Sequence, residues 1–130
     1  MNRLVVKFLK PYRIGVLEEP LPTLAEGQVM VKAICSAVSA GTELLLYRGH
    51  WPETVSVDET IPALASKFQF PLKYGYSAVG RVIQVGPGVS SDLIGRPVFS
   101  FNPHESHFVA SPDQLIFLPS SLRIEDAAFL

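Results

Sequence analysis

Apolar residues in this chain recur in short alternating or β-branched runs, each cut off by proline, glycine or asparagine. That pattern predicts a succession of short strands joined by turns. Val5 to Leu9 reads as a first strand, Lys10-Pro11-Tyr12 as its turn, and Arg13 to Glu19 as the returning arm of a hairpin. Pro20-Leu21-Pro22-Thr23 is unsuited to a sheet interior and reads as a linker, followed by a turn at Ala25-Glu26-Gly27. Gln28 to Val38 predicts a long strand, with Val29, Val31, Ala33 and Cys35 on one face and Met30, Lys32, Ile34 and Ser36 on the other.

The pattern then changes. Ser39-Ala40-Gly41-Thr42-Glu43 leads into Leu44-Leu45-Leu46-Tyr47-Arg48-Gly49, which predicts about two helical turns with Thr42 as N-cap and Gly49 as stop. His50 to Pro71 carries little periodicity and reads as an insertion loop folding over something. Within it Asp58 can cap a short helix through Ala65, and Phe68 and Phe70 read as staples. Tyr74 to Gly86 organises the rest. A strand rich in β-branched residues is entered through one glycine bend and left through another at Gly86-Pro87-Gly88, and Gly75 and Gly80 mark sharp turning or close approach. Val89 to Ile94 reads as a loop and Gly95-Arg96-Pro97 as a turn; Val98–Phe101, His107–Ala110 and Leu115–Leu118 read as short strands, with a turn at Ser111-Pro112-Asp113. Ser121 can cap a last helical segment, Arg123 to Leu130, whose abrupt apolar end suggests a chain cut there or a helix that docks elsewhere.

Composition narrows the class. The chain has 130 residues, 48% of them hydrophobic and 18% charged, enough apolar content for one packed domain. Eleven prolines and nine glycines fit many short elements, as in an all-β barrel. A net charge of −1 gives no reason to expect a nucleic-acid partner. No apolar run reaches transmembrane length, and the first apolar patch is broken by Lys7 and Lys10, so neither a membrane span nor a secretory signal is expected; the default location is cytoplasmic. The single Cys35 excludes an internal disulfide and a cysteine-built zinc site, and reads as a small buried hydrophobe rather than a reactive thiol.

Candidate chemistry is sparse. No Walker loop, nucleophile elbow or helical zinc-protease motif is present, and Gly86-Pro87-Gly88 lacks the helix and third glycine of a dinucleotide fingerprint. His104-Glu105-Ser106-His107 holds two histidines three apart, but on turn and strand they point to opposite faces, against a shared metal. They read as surface or core histidines, or as cleft-lining hydrogen-bond partners and proton donors. Tyr47, His50, Trp51, Tyr74 and Tyr76 put polar-tipped aromatics on both sides of the insertion, where they pack or line a pocket for a flat apolar ligand.

Four stretches in order carry a family pattern. They are Val31-Lys32-Ala33, then Ala40-Gly41-Thr42-Glu43-Leu44-Leu45-Leu46-Tyr47-Arg48-Gly49, then Pro71 through Gly86, and then Gly95-Arg96-Pro97-Val98. In this order and spacing the chain resembles the N-terminal, GroES-like catalytic domain of the medium-chain dehydrogenase/reductase superfamily, the family of zinc alcohol dehydrogenases and quinone oxidoreductases. The resemblance covers nearly the whole chain. It implies a mainly β fold, a GroES-like partly open β-barrel with a few short helices, as a single domain over residues 1–130. A nucleotide-binding Rossmann domain is then expected downstream, holding most of the NAD or NADP contacts.

The departures from the pattern narrow the expected chemistry. Ala40 stands where zinc members have a ligand cysteine, Tyr76 where they have a ligand histidine, Ser77 where they have the neighbouring glutamate, and Leu45 where they have a proton-relay histidine. The resemblance therefore implies a zinc-independent branch, in which hydride passes between NAD(P)H and a small-molecule substrate without a Lewis acid. Tyr76, Ser77 and Thr42 are the implied catalytic residues, with Thr42 also beside the nicotinamide. Tyr47, His50, Trp51 and His107 are the candidate substrate-binding residues. Glu43 matches a usually acidic position, where a structural role fits equally well. Alone, the 130-residue piece is expected to be inactive. The alternative is a stand-alone GroES-like binding or interaction module, which predicts that Phe129 and Leu130 are buried within the chain or in a homodimer.

Overall fold

The computed structural model describes residues 1–49 and 70–129. Strands β1 (Asn2–Lys10) and β2 (Arg13–Pro20) form the expected hairpin, paired antiparallel from Asn2 opposite Pro20 to Lys10 opposite Arg13. Pro20, expected in the linker, ends β2 instead; a proline is tolerated at a strand terminus because it need not donate to the ladder there. The other strands are β3 (Val29–Ser36), β4 (Ala78–Val85), β5 (Pro97–Ser100), β6 (His107–Ala110) and β7 (Ile116–Phe117). They make a five-stranded antiparallel sheet in the order β6-β3-β4-β5-β7. One short helix, α1 (Thr42–Arg48), and short 3-10 segments are the helical parts of the described residues.

The alternation expected along β3 holds only in part. The β3–β4 register shifts between Met30 and Val31 and again between Ala33 and Cys35. A bulge inserts an extra residue and breaks strict two-fold alternation, so Val29, Met30 and Val31 are all buried. Several other limits also move. Pro97, expected in a turn, opens β5, and its carbonyl accepts from the Leu118 amide at 3.0 Å. The loop at 89–94 contains a 3-10 turn at Ser91–Leu93, and the turn at 111–113 is a 3-10 turn over Pro112–Gln114. The last segment is 3-10 over Ile124–Phe129 rather than an α-helix.

Among the described residues, three apolar clusters hold these pieces. Val29, Val31, Val82, Val98 and Phe108 pack between the strands of the large sheet. Val79, Phe99 and Leu118 receive Ala127 and Ala128 of the last segment. Ala127 and Ala128 therefore dock on the chain's own sheet, while Phe129 stays 82% exposed; of the two burials the stand-alone reading allowed, within the chain or in a homodimer, the first does not hold for Phe129. Phe8, Leu46 and Tyr74 make the third cluster, and Phe70, one of the expected staples, packs against it. Phe68 and the helix expected after Asp58 lie outside the described residues. Burying each such side chain contributes about 1.5–3 kcal/mol before ordering costs.

Glycine fits where the backbones close in. A Cβ on Gly80 of β4 would lie 2.3 Å from the Lys32 carbonyl oxygen of β3, so the two strands meet at a distance only glycine allows.

The hairpin joins the large sheet through backbone bonds. The Val6 amide donates to the His104 carbonyl (2.9 Å), the Ser106 amide to the Leu4 carbonyl (2.8 Å), and Phe8 and Leu72 exchange a reciprocal pair. The result is the mainly β, partly open architecture expected. No helix among the described residues is long and apolar enough to cross a membrane.

Charge reinforces this junction. Lys73 bridges Glu19 of the hairpin (2.8 Å) and Glu105 (2.9 Å), and Arg3 reaches the same two carboxylates at 3.1 Å each. The Lys73 ammonium, with Lys7 and Arg3, outweighs partial desolvation and lowers the Glu19 pKa from 4.5 to about 2. A carboxylate with a depressed folded pKa stabilises the fold above its unfolded pKa and loses that contribution as pH falls through the folded one. Stability should therefore decline as pH falls from 4.5 toward 2. Urea midpoints across that range should show a flatter profile for Glu19→Gln than for the parent; parallel profiles would remove Glu19 as the cause.

Candidate functional site

Helix α1 carries the residues nearest the expected chemistry. Its N-cap is Gly41, not Thr42, which is already the first helical residue. No side chain caps α1; the Glu43 carboxylate instead reaches back to the turn ahead of the helix, its Oε2 accepting from the Ser39 amide at 2.5 Å. Gly49 ends the helix with φ 72°, its amide donating to the Leu45 and Leu46 carbonyls. Glu43 and Leu46 face inward, one turn apart, while Leu44 and Leu45 face outward. The hairpin turn steadies the helix: the Tyr12 amide donates to the Tyr47 carbonyl (2.6 Å), and the two rings meet edge-on at 5.5 Å.

Glu43 is only 3% exposed, and a carboxylate so buried must be paired. Its Oε1 lies 2.5 Å from His104 Nε2, and His104 Nδ1 lies 2.6 Å from Ser36 Oγ. With Glu43 ionised, Nε2–H donates to the carboxylate and Nδ1 accepts from the Ser36 hydroxyl. Gly75 makes room for the ring: at φ 145°, a Cβ there would lie 3.0 Å from His104 Nε2. The close approach expected at Gly75 is thus by an imidazole, and that at Gly80 by the β3 backbone.

The stretch from Tyr74 to Ser77 lies beside this array. Tyr74 is buried, and its phenol is hydrogen-bonded to Thr42, which is exposed; burial, ahead of the neighbouring Tyr76, pushes the Tyr74 pKa up. Tyr76 is half-buried and meets Tyr74 edge-on at 6.3 Å. Tyr76 and Ser77 line a cleft of about 250 Å³ with Val38, Ser39, Phe99 and Phe101. The Ser77 hydroxyl donates to the Ala128 carbonyl of the docked last segment.

Tyr47 borders a different hollow with Val6, Phe8, Ile14, Val38 and Leu44, which Glu43 and His104 also line. His107, on β6, bonds to the Ser106 hydroxyl (2.9 Å) and lines neither cleft. Burial, then the nearby Lys32 and Arg3 charges, lower its pKa, so it is neutral at pH 7. His50 and Trp51 lie outside the described residues. Cys35 is half-buried against the Val79–Phe99 cluster, and burial raises its thiol pKa, the environment of an inert cysteine. Among the described residues no three His, Cys, Asp or Glu side chains come together as metal ligands. His104 is the member the expected site set left out. The His-Glu-Ser-His run flagged it, but its partners lie 61 and 68 residues away in sequence.

No protein-family model matches this chain. No curated protein matches it either. Solved structures do. The quinone oxidoreductase from Coxiella burnetii superposes with a TM-score of 0.74 at 20% identity, over 100% of this chain and 41% of that one. An alcohol dehydrogenase superfamily protein from Novosphingobium aromaticivorans gives 0.74 at 19%, over 97% and 37%. The Escherichia coli quinone oxidoreductase complexed with NADPH gives 0.66 at 22%, over 96% and 36%. The chain thus spans about two-fifths of the length of these structures and shares the fold of that portion of them.

The Ser77 hydroxyl ties the cleft to the docked segment. Ser77→Ala should lower the unfolding free energy by about 1–3 kcal/mol, the cost of leaving a buried carbonyl without its donor. Denaturant titration of the 130-residue chain reads this; an unchanged midpoint would show that the bond adds nothing.

Proposed function

We propose that this chain is the substrate-binding domain of an NAD(P)-dependent oxidoreductase that transfers hydride without catalytic zinc. The observation that carries the reading is the cleft lined by Tyr76 and Ser77, set in a fold shared with quinone oxidoreductases and alcohol dehydrogenase-like proteins. The apolar walls given by Val38, Phe99 and Phe101 suit a flat carbonyl or quinone substrate. Its partner is thus a small molecule, and the nucleotide is held mainly by a downstream domain.

Zinc does not fit the residues present. Ala40 and Leu45 offer only hydrocarbon, and the Tyr76 phenol is a poor ligand for it. When bound, the nicotinamide supplies hydride, and Thr42 is the residue of this chain that would stand beside it. The chain's own part is to hold the substrate, exclude water and supply a proton. Tyr76 is the proton or hydrogen-bond donor, because its half-buried phenol lines the cleft. Ser77 serves by position, because its hydroxyl is engaged with the Ala128 carbonyl. Of the expected substrate-binding residues, His50 and Trp51 stay in the proposed set, whereas Tyr47 borders a separate hollow and His107 lines neither cleft, so neither would meet a substrate held beside Tyr76.

In the complete gene product, Tyr76→Phe should lower kcat by about 10²-fold, the scale of losing a positioned acid, while the melting temperature stays near that of the parent. Unchanged steady-state kinetics would exclude Tyr76 as the donor. Treatment with a zinc chelator should leave turnover unchanged, and loss of turnover restored by zinc would overturn the metal-free reading. If the complete product binds no nicotinamide nucleotide by calorimetry, the stand-alone binding module replaces the enzyme.

A further inference from the structure

The Glu43–His104–Ser36 array plays no part in the hydride chemistry proposed above, yet it has the connectivity of an acid–base–nucleophile relay. The Ser36 hydroxyl lies 2.6 Å from His104 Nδ1, and His104 Nε2 lies 2.5 Å from Glu43 Oε1. The acid is itself oriented, since its second oxygen accepts from the Ser39 amide. The base is held on both sides: its carbonyl accepts from Val6, and the bare backbone of Gly75 seats its ring. A serine hydroxyl is a weak nucleophile unless a neighbouring base can take its proton, and the base works best when a third group fixes its tautomer. Both conditions are met, by residues from β3, α1 and the loop before β6.

Ser36 is also reachable. It is half-buried at the end of β3 and lines, with His104, an open cleft of about 290 Å³ between the hairpin and the large sheet. Leu4, Val6, Val16 and Ile34 give that cleft an apolar wall. This cleft is separate from the one lined by Tyr76 and Ser77.

We propose that Ser36 is an activated nucleophile that is acylated by small esters with an apolar acyl group and a good leaving group. In that step the bond from Ser36 Oγ to the ester carbonyl carbon forms and the carbon–oxygen bond to the leaving aryloxide breaks. The hydroxyl proton passes to His104 Nδ1 and then to the aryloxide, giving acyl-Ser36 and a phenol. An aryl leaving group suits the site because it lowers the demand for oxyanion stabilisation, which in dedicated hydrolases is the larger contribution.

Two probes test this on the 130-residue chain: p-nitrophenyl butyrate, read as a burst of p-nitrophenol, and an alkyl fluorophosphonate, read by intact mass and peptide mapping. The expected result is one adduct per chain, at Ser36, absent in Ser36→Ala. His104→Gln and Glu43→Gln should each slow labelling by about 10²-fold. Circular dichroism checks folding, and should either of those two variants unfold, the mapped position and Ser36→Ala decide alone. No adduct on the folded parent, or an adduct that maps to Cys35 or a lysine and persists in Ser36→Ala, overturns the proposal. Neither result bears on hydride transfer, which is read by nucleotide binding and Tyr76→Phe.

Discussion

A carboxylate taken out of water is the costliest group in this fold, and Glu43 is 97% removed from solvent by its 3% exposure. Its demands set the local architecture. One oxygen takes the Ser39 amide in the turn before α1, and the other takes the imidazole of His104. The helix is thereby tied to the segment before β6, the same segment that receives β1 through Val6 and Ser106. Helix, hairpin and large sheet meet at one hydrogen-bonded carboxylate. Leu46 packs on the same helical face beside Phe8 and Tyr74, so apolar burial and hydrogen bonding act in one direction.

The large sheet answers a different constraint, the need to bring β3 and β4 close while turning them. Gly80 permits contact with the Lys32 carbonyl, and the two register shifts in β3 redirect its side chains. Val29 and Val31 consequently serve one cluster while Cys35 borders another. The second cluster seats Ala127 and Ala128, and their small side chains let the last segment lie flat enough for its carbonyl to reach Ser77.

Strand placement was legible because it rests on local alternation and on proline and glycine punctuation. The hairpin, β4 and β6 fall where the pattern puts them. The bulges of β3 were not legible, since a register shift depends on the partner strand. Thr42 looked like an N-cap because threonine favours that position, yet Gly41 holds it and no side chain caps the helix. At the site, Tyr76 and Ser77 were flagged by resemblance and do line a cleft together. His104 was left out, because its meaning comes from partners far away in the chain. His107, its near neighbour, drew the attention instead and lies elsewhere, on β6.

The tyrosine pair has a geometric corollary. Leu72 is pinned to Phe8, and Ala78 is pinned to Ser36 on one side and Ser100 on the other. The residues between them form a taut span anchored at both ends, like a string over two bridges. Tyr74 turns inward and Tyr76 toward the cleft because they occupy fixed stations on that span. Length matters there as well as side-chain chemistry: one residue added or removed would shift both phenols from their present positions. The span therefore works as a ruler, and it is the count of residues, as much as their identity, that sets which phenol meets the cleft.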